Sequence, residues 1–511
     1  MSLATLLANS ARCFPDRPAL TIGTETYLDY AGLARAASGV AASLIETRGC
    51  SPGDPVLLAM SNNRDYLTCL FGCWWAGLTV VPVNAKLHPR EIAGIAEDCG
   101  ARIGFVTPDL APGLAEACPQ IDFIGIGETA FSDLIDRDPI AAADVDAADI
   151  AWIFYTSGTT GRPKGAMLSH RNLMAMTLAY LADVDCLTRH DAFLHLAATS
   201  HASGLFALSF IAKAANNILP EANGYDAAEM RAILSATEKL TFFAPTVLLN
   251  RMADDGLADT PMGNVKTVLT GAGPVHASDI HRAMKTFGPK LWNGYGQGET
   301  PCTITAMDKH SIARAAIEGD DEALASVGIP RTGIALRLVD PDGDPIEDPI
   351  GSGRIGEVTV RGETVMTGYL NRPDATVQAL RGGWLHTGDL GRIDAQGRLH
   401  LLDRVKDVII TGGMNVYARE VEAVLLTHPG VGEAAVVAEP NPDWGEQVTA
   451  LIVPDGTPPD WNELDRLCLD RLAGFKRPKR YVHARSLPKN AAGKVLKAEL
   501  RARISGRSTE N

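Results

Sequence analysis

No stretch of this sequence is long, apolar and unbroken, and that absence argues against a membrane span. One long uncharged run, residues 66–83, holds Gly72, Gly77 and Pro82 and ends in the strand-like Leu78-Thr79-Val80-Val81. It reads as a helix followed by a buried strand. The N-terminus, MSLATLLANSARCF, lacks a basic start and a long apolar segment, so a secretory signal is not expected. The nine cysteines are odd in number and contain no C-x-x-C pair, which fits reduced thiols and a cytoplasmic location. Cys69 and Cys73 lie four apart on a predicted helix, where core packing is the expected role. Positive charge is in deficit: the net charge of −14 argues against nucleic acid or an anionic membrane as the main partner. Any anion site must therefore be a local island of Lys and Arg. There is no internal repeat and no long low-complexity segment, and 511 residues exceed what one core holds, so two or more domains are expected.

What is present is concentrated in a few clusters. Tyr155 to Ala166, YTSGTTGRPKGA, follows the apolar run Ile150-Ala151-Trp152-Ile153-Phe154, which reads as a buried strand. Its glycines let backbone approach a ligand closely. Thr156, Ser157, Thr159 and Thr160 offer hydroxyl donors and Lys164 a charge, a composition suited to phosphate, although Gly/Ser/Thr clusters also mark ordinary loops. It is not a Walker A loop, because Lys164 is followed by Gly165 and Ala166.

From Met1 to about Asp149, short apolar runs (Pro55 to Met60, Leu78 to Val83, Ile103 to Val106) alternate with helix-like patterns, predicting βαβ units and a mostly parallel sheet. Ser169 to Tyr180 reads as a helix with Ser169 as N-cap. His201 is expected where a strand turns into the helix Leu205 to Ala214, in a ligand-contact or a merely satisfied role. Leu240 to Ala244 and Val265 to Leu269 are further strands, each running into turn residues. In Leu291 to Thr300, LWNGYGQGET, three glycines surround one tyrosine and one glutamate, a thin-walled site for an aromatic ring and a cation, or a structural turn.

Beyond Asp320, short alternating strands suggest a small β-rich subdomain. It carries Asp389 at a turn, placed to bind sugar hydroxyls or to cap the turn. Asp403-Arg404-Val405-Lys406-Asp407 is a charged break read as a linker, so the expected domains are 1–402, a hinge at 403–407, and a small α+β domain at 408–511. That last domain holds a basic island, Phe475 to Arg480, and a turn presenting Lys494.

In this order, YTSGTTGRPKGA, GYGQGET, WLHTGDLG, DRVKDVIITGG and PKNAAGKVLK resemble the adenylate-forming superfamily, which includes acyl-CoA synthetases, peptide-synthetase adenylation domains and firefly-type luciferases. The resemblance runs from about Leu3 to Leu500. It implies an α/β fold: a large N-terminal domain of parallel sheets flanked by helices, a small β-barrel-like subdomain and a mobile C-terminal domain. It also implies a two-step reaction in which a carboxylate attacks ATP to give an acyl-adenylate and pyrophosphate, and coenzyme A then displaces AMP.

By motif, the resemblance places Thr156, Ser157, Gly158, Thr159, Thr160, Gly161 and Lys164 on the phosphates. Glu299 would ligate Mg²⁺. Tyr295 would stack on adenine, with Gly271, Ala272, Gly273, Asn293, Gly294, Gly296 and Thr300 around the nucleotide. Asp389 would hold the ribose with Arg404, and Lys494 would bridge carboxylate and α-phosphate. Lys406 would be the hinge of a rotation that exchanges Lys494 for Gly412 and Gly413 beside a pantetheine tunnel. Trp444, Phe475, Arg477 and Lys479 are candidates for CoA, with a solvated basic face as the alternative. The acyl pocket would lie among His201, Gly271, Gly294, Gly296 and Ile304, a small-residue wall suited to a mainly apolar fatty or aromatic acid. The segment His201 to Leu205 offers no acid to pair an amino group, so amino acids are disfavoured. One departure stands out: many relatives carry Thr directly before the motif glutamate, and this chain has Gly298, so either Thr300 or a loop hydroxyl takes over or the contact is absent. Loading of a carrier protein and a silent nucleotide-binding relative are the alternatives, and a homodimer stays open.

Overall fold

A computed structural model describes residues 2–156, 163–257, 260, 262–273, 275–489 and 495–504. The chain forms two compact units, residues 1–336 with 360–385, and residues 337–359 with 386–511. The expected linker at 403–407 falls inside the second.

The first unit contains two large sheets. In the nine-stranded one, Asn216–Leu219, Ala192–Leu194, Leu240–Phe243, Val265–Gly271 and Leu291–Tyr295 run parallel side by side. Antiparallel Thr305–Met307 and Ile329–Pro330 extend one side. The strands are nearly continuous apolar runs because both faces are covered, as the burial of Phe193, Phe242, Leu269 and Leu291 shows. The seven-stranded sheet places Asp122–Gly125, Ile103–Val106, Pro55–Ala59, Thr79–Pro82 and Ile150–Thr156 in parallel.

One element was not anticipated. After the glycine-rich loop the chain returns as the antiparallel strand Lys164–Ser169, with Thr156 opposite Lys164. Helix His170–Asp183 then starts as expected: Ser169 accepts from Asn172 N, and Asn172 reaches back to the cap in a capping box. The helix expected at Leu205 to Ala214 begins earlier, at Ala202–Ile211, with His201 as its N-cap residue.

The second unit pairs a four-stranded sheet, which includes Gly356–Arg361, Leu385–Ile393 and Leu399–Arg404, with a five-stranded sheet. In the latter, Val431–Asn441 and Gly445–Pro454 form a long hairpin whose inner residues pack on helices Ala418–Leu425 and Trp461–Arg471 around Val436, Val448 and Leu464. Among the described residues no helix is long and apolar enough to cross a membrane.

Candidate active site

In the first unit the candidate residues gather at the carboxyl ends of parallel strands, where open α/β sheets place their ligands. Strands Val265–Gly271 and Leu291–Tyr295 end side by side, with Gly271 opposite Gly294. Gly271 has φ +143°, and a Cβ there would stand 2.3 Å from the Gly294 carbonyl oxygen, so only glycine lets these ends meet. The next residue, Ala272, also has positive φ, at 66°. Gly294 and Gly296 face protein: a Cβ on the first would enter the Trp292 ring and one on the second the Cys302 backbone. These glycines fold the segment onto itself as well as keeping the wall thin. Asn293 and Tyr295 are almost fully buried, and Asn293 Nδ2 donates to Ser326 O at 3.5 Å. Ile304 is fully buried.

Glu299 sits at the centre of a small polar constellation. Its Oε1 accepts from Thr156 Oγ1 at 3.3 Å and from the Tyr369 hydroxyl at 2.8 Å, while Met366 N donates to its backbone oxygen. Lys164 Nζ lies 5.2 Å from the centre of the Tyr369 ring. The structure thus unites Thr156, Lys164 and Glu299, three residues expected from sequence, and adds Tyr369, which sequence reasoning missed. The only signal for it was an aromatic residue in the two-residue strand Gly368–Tyr369, which is too short to show a period.

The departure at Gly298 has a steric cause. A Cβ there would stand 2.6 Å from the Phe154 ring and 2.7 Å from Thr156 Cγ2. Thr300 is fully buried and its hydroxyl is spent on the local turn, accepting from Gln297 N and donating to Gln297 O. Among the described residues Thr156 is the hydroxyl beside both Gly298 and Glu299.

His201 caps the helix that borders this region. Its Nδ1 is 2.9 Å from Ser200 Oγ and its ring meets Phe154 edge-on at 5.3 Å. Burial lowers its pKa to about 4, so at neutral pH it is an uncharged ring that packs and hydrogen-bonds. His195 is buried by the same fold between Ser203 and Asn217, also at about 4, and is a structural residue.

In the second unit, Asp389 and Arg404 face each other across two antiparallel strands with Arg404 Nε 2.7 Å from the carboxylate. The pairing joins the two residues expected at the ribose. Lys406 is exposed, and partial desolvation lowers its pKa against the attraction of Asp407. Gly412 and Gly413 form a two-residue hairpin turn, both at positive φ. A Cβ on Gly412 would stand 2.8 Å from the exposed Trp444 ring, so these three candidates are neighbours. The basic island is largely spent internally: Arg477 pairs with Asp465, Lys476 with Glu420, and Phe475 packs on the domain core. Lys479 donates to Gly474 O at 3.4 Å. Ser157, Gly158, Thr159, Thr160, Gly161 and Lys494 lie outside the described residues.

Comparison with known proteins agrees with the geometry. A family model described as AMP-binding enzyme matches residues 7–370, and one described as AMP-binding enzyme C-terminal domain matches residues 420–494. The chain is 36% identical over 502 residues to a feruloyl-CoA synthase from an Amycolatopsis species, covering 97% of each. It is 30% identical to the fatty acid–[acyl-carrier-protein] ligase ScoC of Streptomyces coeruleorubidus, over 97% of this chain and 95% of the relative. Among solved structures it resembles the o-succinylbenzoate CoA synthetase of Bacillus subtilis in complex with its acyl-adenylate intermediate. That match has a TM-score of 0.85 at 27% identity and covers 97% of both chains.

Proposed function

The chain belongs to the AMP-binding enzyme family, and from that premise we propose that it is an AMP-forming acid–CoA ligase acting on a mainly apolar fatty or aromatic acid. The observation that carries this reading is the Thr156, Lys164, Glu299 and Tyr369 constellation at the strand ends. In the first step an oxygen of the carboxylate attacks the α-phosphorus of ATP and the bond to pyrophosphate breaks. In the second the CoA thiol attacks the acyl carbon, loses its proton, and AMP leaves.

Attack of an anion on a polyanion is slow unless charge is neutralised and the groups are aligned. Lys164 supplies charge toward the β- and γ-phosphates. Tyr295 stacks on adenine, and Asp389 with Arg404 holds the ribose. Neutral His201 bounds the acyl site without adding a second cation. Lys494 bridges carboxylate and α-phosphate, and Lys406 is the hinge of the 403–407 linker.

The residues present fit Mg²⁺. Glu299 offers a carboxylate beside Thr156 and Tyr369, and Mg²⁺ shared with a nucleoside triphosphate is usually held through one or two carboxylates together with phosphate oxygens. Bound there, Mg²⁺ supplies charge neutralisation on the phosphates. Thr156 and Tyr369 fix the orientation of the Glu299 carboxylate.

The test is release of pyrophosphate and AMP from ATP by the purified enzyme across fatty, benzoic, cinnamic and dicarboxylic acids. AMP release that depends on CoA is the expected result, and no pyrophosphate from any acid refutes the reading. Transfer to a carrier protein is the second reading, favoured by the likeness to ScoC; it predicts pyrophosphate release without CoA-dependent turnover.

A further inference from the structure

Asp98 is an acid poorly placed for its own helix. It sits in the last turn of Pro89–Cys99, where the helix dipole favours positive charge, and no basic residue stands in that turn. Its partners come from distant parts of the sequence. The Tyr155 hydroxyl donates to Asp98 Oδ2 at 2.8 Å, Arg372 Nη2 donates to Oδ1 at 2.7 Å, and Asn371 Nδ2 donates to the Asp98 backbone oxygen at 2.7 Å. The Asp98 side chain is only 17% exposed, so these contacts are shielded from water more than those of an ordinary surface ion pair.

Each contact leads to the Glu299 constellation. Tyr155 precedes Thr156 on the strand Ile150–Thr156, and Thr156 Oγ1 donates to Glu299. Asn371 and Arg372 follow closely on Tyr369, which donates to the same Glu299 oxygen. Asn371 holds φ at +53°, a left-handed turn that asparagine accepts more readily than most residues, and its side chain is spent on tying that turn to Asp98. Asp98, Tyr155, Thr156, Glu299, Tyr369 and Arg372 therefore form a closed circuit of backbone and hydrogen bonds, all within the first unit. Tyr369 N donates to Thr376 Oγ1 and Leu370 N to Gly165 O, so the turn has other supports, but Asp98 is what joins its far end to the side chain beside Thr156.

We propose that Asp98 is a positioning residue for the metal end of the candidate site: through Tyr155 and Arg372 it sets the spacing of the two hydroxyls that aim the Glu299 carboxylate. It acts through these residues and not on the nucleotide itself. Mg²⁺ demands near-ideal octahedral geometry, so a carboxylate free to swing holds it less well than one fixed on both sides. The proposal rests on the ligase reading above and deepens it by naming what orients the carboxylate offered to Mg²⁺.

The experiment measures by titration calorimetry the binding of Mg·ATP, and of AMP without metal, to the unaltered protein, Asp98→Asn, Tyr155→Phe, Tyr369→Phe and the double variant of Asp98→Asn with Tyr369→Phe. Loss of the Asp98 charge is expected to weaken Mg·ATP about fivefold, less than loss of a direct ligand because Thr156 and Tyr369 remain, and to leave AMP within about twofold. Tyr155→Phe removes one hydroxyl and cuts one arm, so folding is retained and Mg·ATP weakens by about two- to threefold. Because Asp98 acts through Tyr369, the double variant should weaken Mg·ATP by less than the product of the two single effects. Equal weakening of Mg·ATP and AMP makes Asp98 a structural residue and overturns the proposal, as does an unchanged Mg·ATP affinity in Tyr155→Phe or a double variant whose effects simply multiply. If Asp98→Asn fails to fold, Tyr155→Phe decides the matter by its Mg·ATP affinity relative to AMP. Failure of the unaltered protein to bind Mg·ATP overturns the ligase reading, and this inference with it.

Discussion

Gly271 and Gly413 are both glycines at positive φ beside candidate ligand positions, yet they are held for different reasons. A Cβ at Gly271 would stand 2.3 Å from the Gly294 carbonyl oxygen, whereas one at Gly413 would meet nothing within 4 Å. The contrast extends to the units around them. In the first, Gly294, Gly296 and Gly298 also abut protein atoms, and the candidate site is shaped by fit. In the second, charge sets the positions: Asp389 pairs with Arg404, Asp407 with Arg501, and half-buried Lys497 lies 3.0 Å from Glu422 and 4.0 Å from Asp403. A site shaped by fit should be intolerant of added atoms, and one shaped by charge should respond to pH.

The desolvated titratable groups add a second contrast: they should make the two units fail at opposite ends of the pH scale, and this is the largest expected effect. In the first unit His170 and His195 are buried with pKa values lowered to about 4, chiefly by desolvation. The unfolded chain binds protons below about pH 6.5 while the folded unit does not, so stability falls as pH drops from 6.5 toward 4. Together the two cost about 4 kcal/mol between pH 7 and pH 5. In the second unit, desolvation opposes the charge of Lys497, but Glu422 and Asp403 outweigh it and raise its pKa. Its contribution is intact below pH 10.5 and is lost above it. Hydrogen exchange read region by region checks both: acid should loosen residues 1–336 first and alkali residues 386–511, and loss in the reverse order breaks the comparison.

A smaller effect comes from one methyl group. Gly271→Ala forces Cβ onto a backbone oxygen and should cost about 3 kcal/mol or more, because neither strand can retreat without breaking its sheet. Gly413→Ala meets open space and should cost only about 1 kcal/mol, the backbone penalty of its positive φ. Denaturant midpoints measure both, and equal losses would show that the first site is not shaped by fit.

The same contrast explains what could be read from sequence. Gly271, Gly294 and Gly296 stand out because close approach demands one residue type, and Glu299 stands out as the acid among them. Asp389 and Arg404 were legible as motif members. Partners fixed by long-range register were not: Lys164–Ser169 as a returning strand depends on pairing with Ile150–Thr156 and Gly368–Tyr369. Asp98 was invisible for a similar reason, since only the fold brings Tyr155 and Arg372 to its two carboxylate oxygens.

Tyr369 offers the finest test, because it belongs to the unit shaped by fit yet acts through one hydrogen bond. Tyr369→Phe keeps the ring beneath Lys164 and removes only the hydroxyl that donates to Glu299 at 2.8 Å. Thr156 remains as a second donor at the longer distance of 3.3 Å, so the carboxylate is loosened rather than released. The expected cost is about 1 kcal/mol, seen as a several-fold rise in KM for Mg·ATP with the KM for the acid unchanged. Thermal stability should stay within a degree or two, since Glu299 lies at a site open to ligand and recovers a partner from water. A variant that loses stability but keeps its KM for Mg·ATP would make Tyr369 a packing residue. In that event Glu299 is positioned by the glycine-lined backbone alone.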